Sequence, residues 1–469
     1  MGCVGHPLVK TPNLDALAER GSSCETAYTP SPMCVPTRAA MACGDHVHRT
    51  GFWDSATAYD GSQRSWMHQL RDAGVPVTSI GKLHFQSAKN DNGFTEELLP
   101  MHVVGEVGWA VGLLRENPPA YDSAAELAQD VGAGNTTYTD YDLAITETTK
   151  QWLQANKDAS EPWAAFVSLV SPHYPLKAPQ EFYDMYPLAD MDLPIAYEPT
   201  ARPHHSELKN IASFFKYDQY FNEHKIRQAK AAYYGLISFM DSCVGSILNT
   251  LAATEQAENT IVLYVSDHGD MMGDHGLWTK QVMYEPSVGV PMIAAGPGIP
   301  EGNRIKTGTT LLDIAATAVD ISGVTEDIES RKLPGLSLKA LANADNDLNR
   351  TIFSEYHDGG STTGTFMVRW QNWKYVYYVG HPPQLFDMVS DPNELCNLAE
   401  QENSDTTIAA ILLEGEHRLR AICDPESVNE RCFSNQAQRI KELGGRDACE
   451  NAYVFNHTPT PSEQEKLEN

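Results

Sequence analysis

Three mostly apolar runs, each ending abruptly at a polar cluster, constrain this chain more than any other feature. Residues 75–80 lead into Gly81-Lys82-Leu83-His84, 164–170 into Ser171-Pro172-His173, and 261–265 into Ser266-Asp267-His268. Apolar runs this short and continuous suit strands covered on both faces, as in a parallel sheet. Pro76 lacks an N–H for the ladder and belongs at its strand's start. Between the second and third runs, Tyr233, Leu236, Ile237, Met240, Val244, Ile247, Leu248 and Leu251 recur with a helical period. A shorter helix is predicted over 13–20, with Thr11 or Asn13 near its start and Gly21 as its stop. Strands alternating with helices predict a doubly wound α/β core with a mostly parallel sheet. Ligands bind such sheets beyond the carboxyl ends of the strands, where all three runs deliver Lys, His or Asp.

From about residue 343 the texture changes. Residues 351–354, 366–368 and 374–379 read as short strands, and Gly380-His381-Pro382-Pro383 and Ser390-Asp391-Pro392-Asn393 supply breakers. A small antiparallel sheet is expected, then a late helix over 407–422 and a polar tail. The expected organisation is a main α/β domain over 1–342 and a small C-terminal α+β subdomain with its tail over 343–469. No internal repeat is visible.

With 62 Asp plus Glu against 34 Lys plus Arg, the formal net charge is −28. That field repels phosphate backbones, so no nucleic-acid partner is expected, and an anionic substrate needs a local cluster of cations. The nine cysteines follow no metal or disulfide spacing, which suits a reducing cytoplasm. No apolar run approaches 18 residues and residues 1–10 carry no apolar signal region, so neither a membrane span nor a leader is expected. Sequons at Asn135 and Asn456 would matter only in a secreted protein.

The segment Ser31-Pro32-Met33-Cys34-Val35-Pro36-Thr37-Arg38 brings the polar clusters together into one reading. Its Cys-x-Pro-x-Arg core, with Gly44 as closing glycine, resembles the signature of the sulfatase family of the alkaline phosphatase superfamily. Thr37, Ala42 and Cys43 depart from the usual Ser or Ala and Leu-Thr. The resemblance runs from Gly2 to about Leu398. It takes in Lys10-Thr11-Pro12-Asn13-Leu14-Asp15, the three strand-end clusters, Gly276-Leu277-Trp278-Thr279-Lys280 and Gln384-Leu385-Phe386-Asp387. It implies an alkaline-phosphatase-like fold and hydrolysis of sulfate monoesters. The nucleophile would be formylglycine, made from Cys34 by a formylglycine-generating enzyme.

The implied chemistry accounts for these residue types. An aldehyde hydrate offers two hydroxyls on one carbon: one attacks sulfur, and the other loses a proton so that the reformed C=O expels sulfate. A sulfate ester is an anion, so cations must surround it. By matched position, Arg38 would hold and polarise the formylglycine, and Lys82 and Lys280 would neutralise sulfate oxygens. His84 would take the hydroxyl proton at release, and His173 would protonate the departing alkoxide. Asp267, His268 and the residue made from Cys34 would hold one divalent metal. Calcium and manganese lead the candidates, ahead of magnesium, iron and zinc, because an imidazole ligand favours transition metals whereas the wider family favours calcium. His275 is expected to be structural.

His268 stands where many sulfatases have Asn, as in the branch of choline-sulfatase-like enzymes and phosphonate monoester hydrolases. Ser55, after Gly51-Phe52-Trp53-Asp54, stands where that branch often has Asn. Relatives place a strand ending in metal-binding Asp before the motif matching Gly2-Cys3-Val4-Gly5, where this sequence begins. The expectation drawn from this is a reading frame begun late, with weak metal binding and little activity for the chain as written. Three readings follow: a sulfatase acting on a small sulfate ester, a phosphonate monoester or phosphodiester hydrolase with the same site, and a noncatalytic binding protein. Loops 92–118 and 194–216 are expected to contact the alcohol. A homo-oligomer is expected, with the C-terminal segment as a candidate intersubunit arm.

Overall fold

The computed structural model describes residues 1–119, 124–324, 331–401, 405–452 and 457–468. Asn456 therefore lies outside the described residues. Helix α1 (Pro12–Glu19) leads into strand β1 (Gly21–Cys24), and helix α2 (Cys34–Cys43) follows. Next come β2 (Val77–Lys82), β3 (Glu96–Met101), α3 (Thr137–Ala155), β4 (Ala164–Ser168), α4 (Glu223–Ala253) and β5 (Val262–Val265). Strands β6 (Met292–Ala295) and β7 (Asn303–Ile305) and helix α5 (Asp313–Ser322) complete the main α/β layers.

The three apolar runs become β2, β4 and β5, each shifted by no more than two residues at its start. They pair in two sheets. One has the order β3-β2-β4 and is wholly parallel, with Val77 to Gly81 opposite Ala164 to Ser168. The other has the order β7-β1-β6-β5, in which β6 runs antiparallel to both β1 and β5. Both faces are covered, as the period of a strand requires. Ile293 and Ala295 of β6 pack with Leu14, Leu17 and Met240 of α1 and α4, whereas Met292 and Ala294 pack with Met41 and Ile314 of α2 and α5.

One expectation needs correction. β4 and β5 are only half-buried over Ala164 to Val167 and Val262 to Val265. Among the described residues each pairs with a neighbouring strand along one edge only, so the other edge keeps some exposure. The two strands still border common ground: Phe166 packs against the same core cluster as Leu263 and Val265, and Leu169 against the same cluster as Val262 and Tyr264.

α1 starts as the sequence indicates, but its cap comes from afar. Asp241 of α4 accepts from the Asn13 and Leu14 backbone N–H groups at 3.1 and 2.9 Å. α4 spans 31 residues and contains an 18-residue stretch of mean hydropathy 1.4, which corrects the expectation that no run approaches that length. In this fold Ala231, Ala232, Leu236, Phe239 and Met240 of α4 are buried in the protein core.

The small antiparallel sheet is present as β8 (Ile352–Tyr356), β9 (Thr365–Trp370), β10 (Trp373–Tyr378) and β11 (Gln384–Asp387), paired in sequence order. Helix α6 (Thr406–Ile422) begins one residue before its predicted start. The predicted polar tail is instead helical, with α7 (Pro425–Glu442) and α8 (Pro461–Glu468). α7 opens with an Asp424 cap and Pro425 at its first position, and Val428, Cys432 and Gln436 form a buried stripe four residues apart. Polar composition hid that narrow stripe.

Where β8 meets the end of α2, His46 stacks on His48 at 5.4 Å and meets Phe353 edge-on at 5.0 Å. Burial lowers the His46 pKa from 6.5 to about 3. The unfolded chain then binds the extra proton, so this stabilisation is full above pH 6.5 and is lost as pH falls towards 3. Each unit of that fall costs about 1.4 kcal/mol. His46→Gln is expected to flatten the decline of Tm between about pH 6 and pH 4 in scanning calorimetry; an unaltered slope would refute this role.

Candidate active site

Cys34 is the first residue of α2, a helix whose ten residues are all buried. Gly44 ends that helix with φ +67°, and a Cβ there would meet the Ala315 Cβ at 2.8 Å, which accounts for the closing glycine of the motif. Thr37, the departure from the usual Ser, exchanges a 2.7 Å hydrogen bond with Thr29 and also donates to the Ser31 carbonyl. Its hydroxyl ties the loop before Cys34 to the helix after it.

Five of the predicted side chains gather at the Cys34 sulfur. Lys280 Nζ lies 3.5 Å away, Lys82 Nζ 3.8 Å and His268 Nε2 2.9 Å. His84 and His173 line the same cleft. Burial alone would raise the Cys34 pKa, but Lys280, Lys82 and His268 outweigh it and hold the thiol well below its ordinary value. An ammonium at this range favours an anion by about 4 kcal/mol at a protein-like dielectric. Sγ here marks the position an oxygen of formylglycine would take.

Local backbone geometry aims these groups. β2 breaks register between Ile80 and Lys82 at Gly81 (φ +104°), where a Cβ would strike the Ser168 carbonyl at 2.4 Å. Lys280 stands between Thr279 (φ 65°) and Gln281 (φ 83°), and His84 itself has φ 55°. Left-handed non-glycine residues persist only where their surroundings enforce them. The Lys280 loop is tied to the nucleophile loop by the Gln281 N–H, which donates to the Pro32 carbonyl at 3.2 Å.

The histidine tautomers follow from their partners. Nδ1 of His268 lies 2.8 Å from the Gly269 carbonyl, which can only accept, so Nδ1 carries a proton and Nε2 is the nitrogen turned towards Cys34. Nδ1 of His173 faces the Tyr174 carbonyl at 2.8 Å in the same way, leaving His173 Nε2 to accept from Lys280 Nζ at 3.1 Å. Burial first and the neighbouring Lys280 second lower the His173 pKa to about 3, so the proton of that pair rests on Lys280. His84 is also lowered to about 3, by burial and Lys82, against the opposing influence of the Cys34 sulfur.

Asp267 and His268, with the Cys34 sulfur, form a cluster whose three ligand atoms all lie within 4.8 Å of one another. Asp267 Oδ2 accepts from Arg38 Nε at 2.9 Å, and Oδ1 lies 3.7 Å from His268 Nε2. Although burial opposes it, His268 and Arg38 keep the Asp267 carboxyl below its usual range. The donor set fits a divalent cation: one carboxylate oxygen and one imidazole of the ligating tautomer on one side of position 34.

Arg38 does something the sequence did not indicate. Its guanidinium donates to Asp267 after β5, to the Lys82 carbonyl at 2.9 Å and to Ser168 Oγ of β4 at 3.0 Å. One side chain thus joins the ends of β2, β4 and β5 across the two sheets. His275 stacks on Tyr284 at 4.3 Å, the structural placement expected of it.

The cleft above Cys34 opens to solvent at its mouth and has a cavity volume of about 110 Å3. Val103, Val104, Trp109, Tyr174, Phe215 and Tyr217 supply much of its lining, so loops 92–118 and 194–216 both reach it as expected. Ser55 lines it too, with its N–H and hydroxyl both held by Asp358 Oδ2 at 2.8 and 2.5 Å. Sequence reasoning missed Asp142, which accepts from the Val170 and Ser171 N–H groups at 2.7 and 2.8 Å and fixes the loop carrying His173. It also missed Gln281, Ser168 and the C-terminal His457. Gln281 adjoins a motif already noticed and Ser168 lies inside the second apolar run, whereas Asp142 and His457 lie in no motif.

A sequence model of the sulfatase family matches residues 1–324, and one described as N-sulphoglucosamine sulphohydrolase, C-terminal, matches 273–420. The chain belongs to the sulfatase family and is a sulfuric ester hydrolase. It is 32% identical to the choline-sulfatase of Rhizobium meliloti over 97% of this chain and 90% of that protein. Arylsulfatase K of Danio rerio is 28% identical over 93% of this chain and 84% of the relative. Among solved structures, the phosphonate monoester hydrolase of Agrobacterium radiobacter superposes with a TM-score of 0.70 at 20% identity, covering 90% of this chain and 92% of that one. A putative sulfatase from Bacteroides thetaiotaomicron gives 0.69 at 22% identity, with 98% and 94% covered. The alkaline-phosphatase-like fold read from the sequence is the fold of these structures.

Proposed function

We propose that this chain hydrolyses small sulfate monoesters with formylglycine derived from Cys34 and one divalent cation on Asp267 and His268. The observation that carries this reading is the convergence of two lysines and three histidines on one helix-starting cysteine at the floor of a cleft. Formylglycine would supply a hydrated aldehyde as nucleophile, and the cation would polarise a sulfate oxygen. The chain's own groups do the rest. Lys82 and Lys280 neutralise the ester's anionic oxygens. Lys280 and His173 act as a pair: the alkoxide takes the Lys280 proton, directly or through His173 Nε2. His84, held neutral by burial, accepts the hydroxyl proton that must leave for sulfate to be released. The His268 imidazole makes manganese, iron or zinc better suited to this site than calcium.

The alcohol half sits among Trp109, Tyr174, Phe215 and Tyr217. Aromatic faces favour apolar groups and quaternary ammonium cations. Together with the likeness to a choline-sulfatase, this makes choline sulfate the first substrate to assay. A phosphonate monoester or phosphodiester is the second reading, favoured by His268 in place of Asn. Co-expression with a formylglycine-generating enzyme is expected to lighten the Cys34 peptide, since oxygen replaces sulfur and two hydrogens leave. The converted enzyme is expected to give a higher kcat/KM on choline sulfate than on a matched phosphonate monoester. The reverse order moves the assignment to the second reading, and an unconverted peptide without turnover favours a binding protein.

A further inference from the structure

The cleft has one wall that none of this chemistry uses. His457 and Thr458, from the far end of the chain, line it together with His173, Lys280 and Val103. Their segment is pinned on two sides. The Tyr138 hydroxyl donates to the Thr458 carbonyl at 2.6 Å. The buried Tyr138 ring stands edge-on to His457 at 4.9 Å and to His173 at 5.9 Å. Beyond it, Gln464 of α8 donates to the His102 carbonyl at 3.3 Å, next to Val103 of the opposite lining. The turn between is closed by Glu463, which accepts from the N–H and the hydroxyl of buried Thr460, both at 2.8 Å. An imidazole held between such anchors is a fixed part of the cleft's outline. Burial lowers its pKa, so the ring presents a neutral edge.

We propose that His457 is a specificity-determining residue: with Thr458 it closes the Tyr138 side of the alcohol chamber and restricts it to compact alcohols. A wall acts by excluding volume, and shape discrimination of this kind is worth about tenfold to a hundredfold between substrates. The claim deepens the sulfatase reading, but its first test needs no turnover.

Unmodified Cys34 lies at the floor of the cleft, so its alkylation reports access. In the full-length chain, His457→Ala is expected to raise the rate of Cys34 labelling by a naphthyl iodoacetamide, relative to iodoacetamide itself, by about tenfold. Peptide mass spectrometry separates Cys34 from the exposed Cys396 and the half-buried Cys3 and Cys423. Tyr138→Phe, which removes only the tether to Thr458, is expected to move the ratio the same way. In the converted enzyme the kcat/KM ratio of a naphthyl sulfate to choline sulfate rises correspondingly in His457→Ala. An unchanged labelling ratio in His457→Ala overturns the wall, whatever the enzyme turns over. A raised labelling ratio in the unconverted His457→Ala chain, with no sulfate-ester turnover by the converted protein, upholds the wall and sinks the sulfatase reading instead.

Discussion

Cys34→Ala is expected to lower sulfate-ester turnover by roughly four orders of magnitude or more relative to the metal-replete, converted enzyme. The loss reaches this size because five of the other catalytic candidates are gathered around that one atom. Lys280 and Lys82 sit 3.5 and 3.8 Å from it, and His268 at 2.9 Å. Without a nucleophile these groups still bind an anion but have no bond to form. Affinity for inorganic sulfate, followed by calorimetry, is therefore expected to survive the substitution while kcat collapses. Retention of the full hydrolytic rate in Cys34→Ala would remove the basis of the mechanism.

Lys280→Ala is expected to cost about a hundredfold to ten-thousandfold in kcat. Two functions disappear together: the cation beside the nucleophile and the proton shared with His173 Nε2 across 3.1 Å. Lys280→Arg keeps the charge but gives up its acidic proton, so it is expected to recover ground-state binding more than kcat. A second readout is independent of catalysis. Lys280 is the largest influence holding the unmodified Cys34 thiol down against burial, so Lys280→Ala is expected to raise the thiol pKa. The pH profile of iodoacetamide labelling at Cys34 measures this directly. A profile that stays in place would mean that Lys280 does not act on position 34.

Both variants concern residues that were legible before any coordinates. Cys34, Arg38, Lys82, His84, His173, Asp267, His268 and Lys280 were readable because each lies in a short motif, and all but Lys280 lie beside a strand end or in the helix that Cys34 starts. Local sequence records such placements: an apolar run buries a strand, and the residue after it emerges at the sheet's edge. The strands themselves were legible for the same reason. What escaped were relations between distant segments. The antiparallel setting of β6 depends on its partners, and the half-exposure of β4 and β5 depends on which edges are paired. Nothing near Arg38 announces that its partners are Asp267, Ser168 and the Lys82 carbonyl. The tail looked polar because a helix that buries one residue in four can be polar everywhere else.

The three-way grip of Arg38 bears on how this protein tolerates change. The guanidinium is carried by the same helix as Cys34, and it fastens that helix to strand ends from both sheets. Architecture and reactivity therefore share a single rivet. A substitution deep in either layer that shifts a strand by a fraction of an ångström is transmitted to the reacting atom, while surface changes elsewhere pass unnoticed. Selection for hydrolysis in such a molecule is at once selection for the alignment of its two sheets.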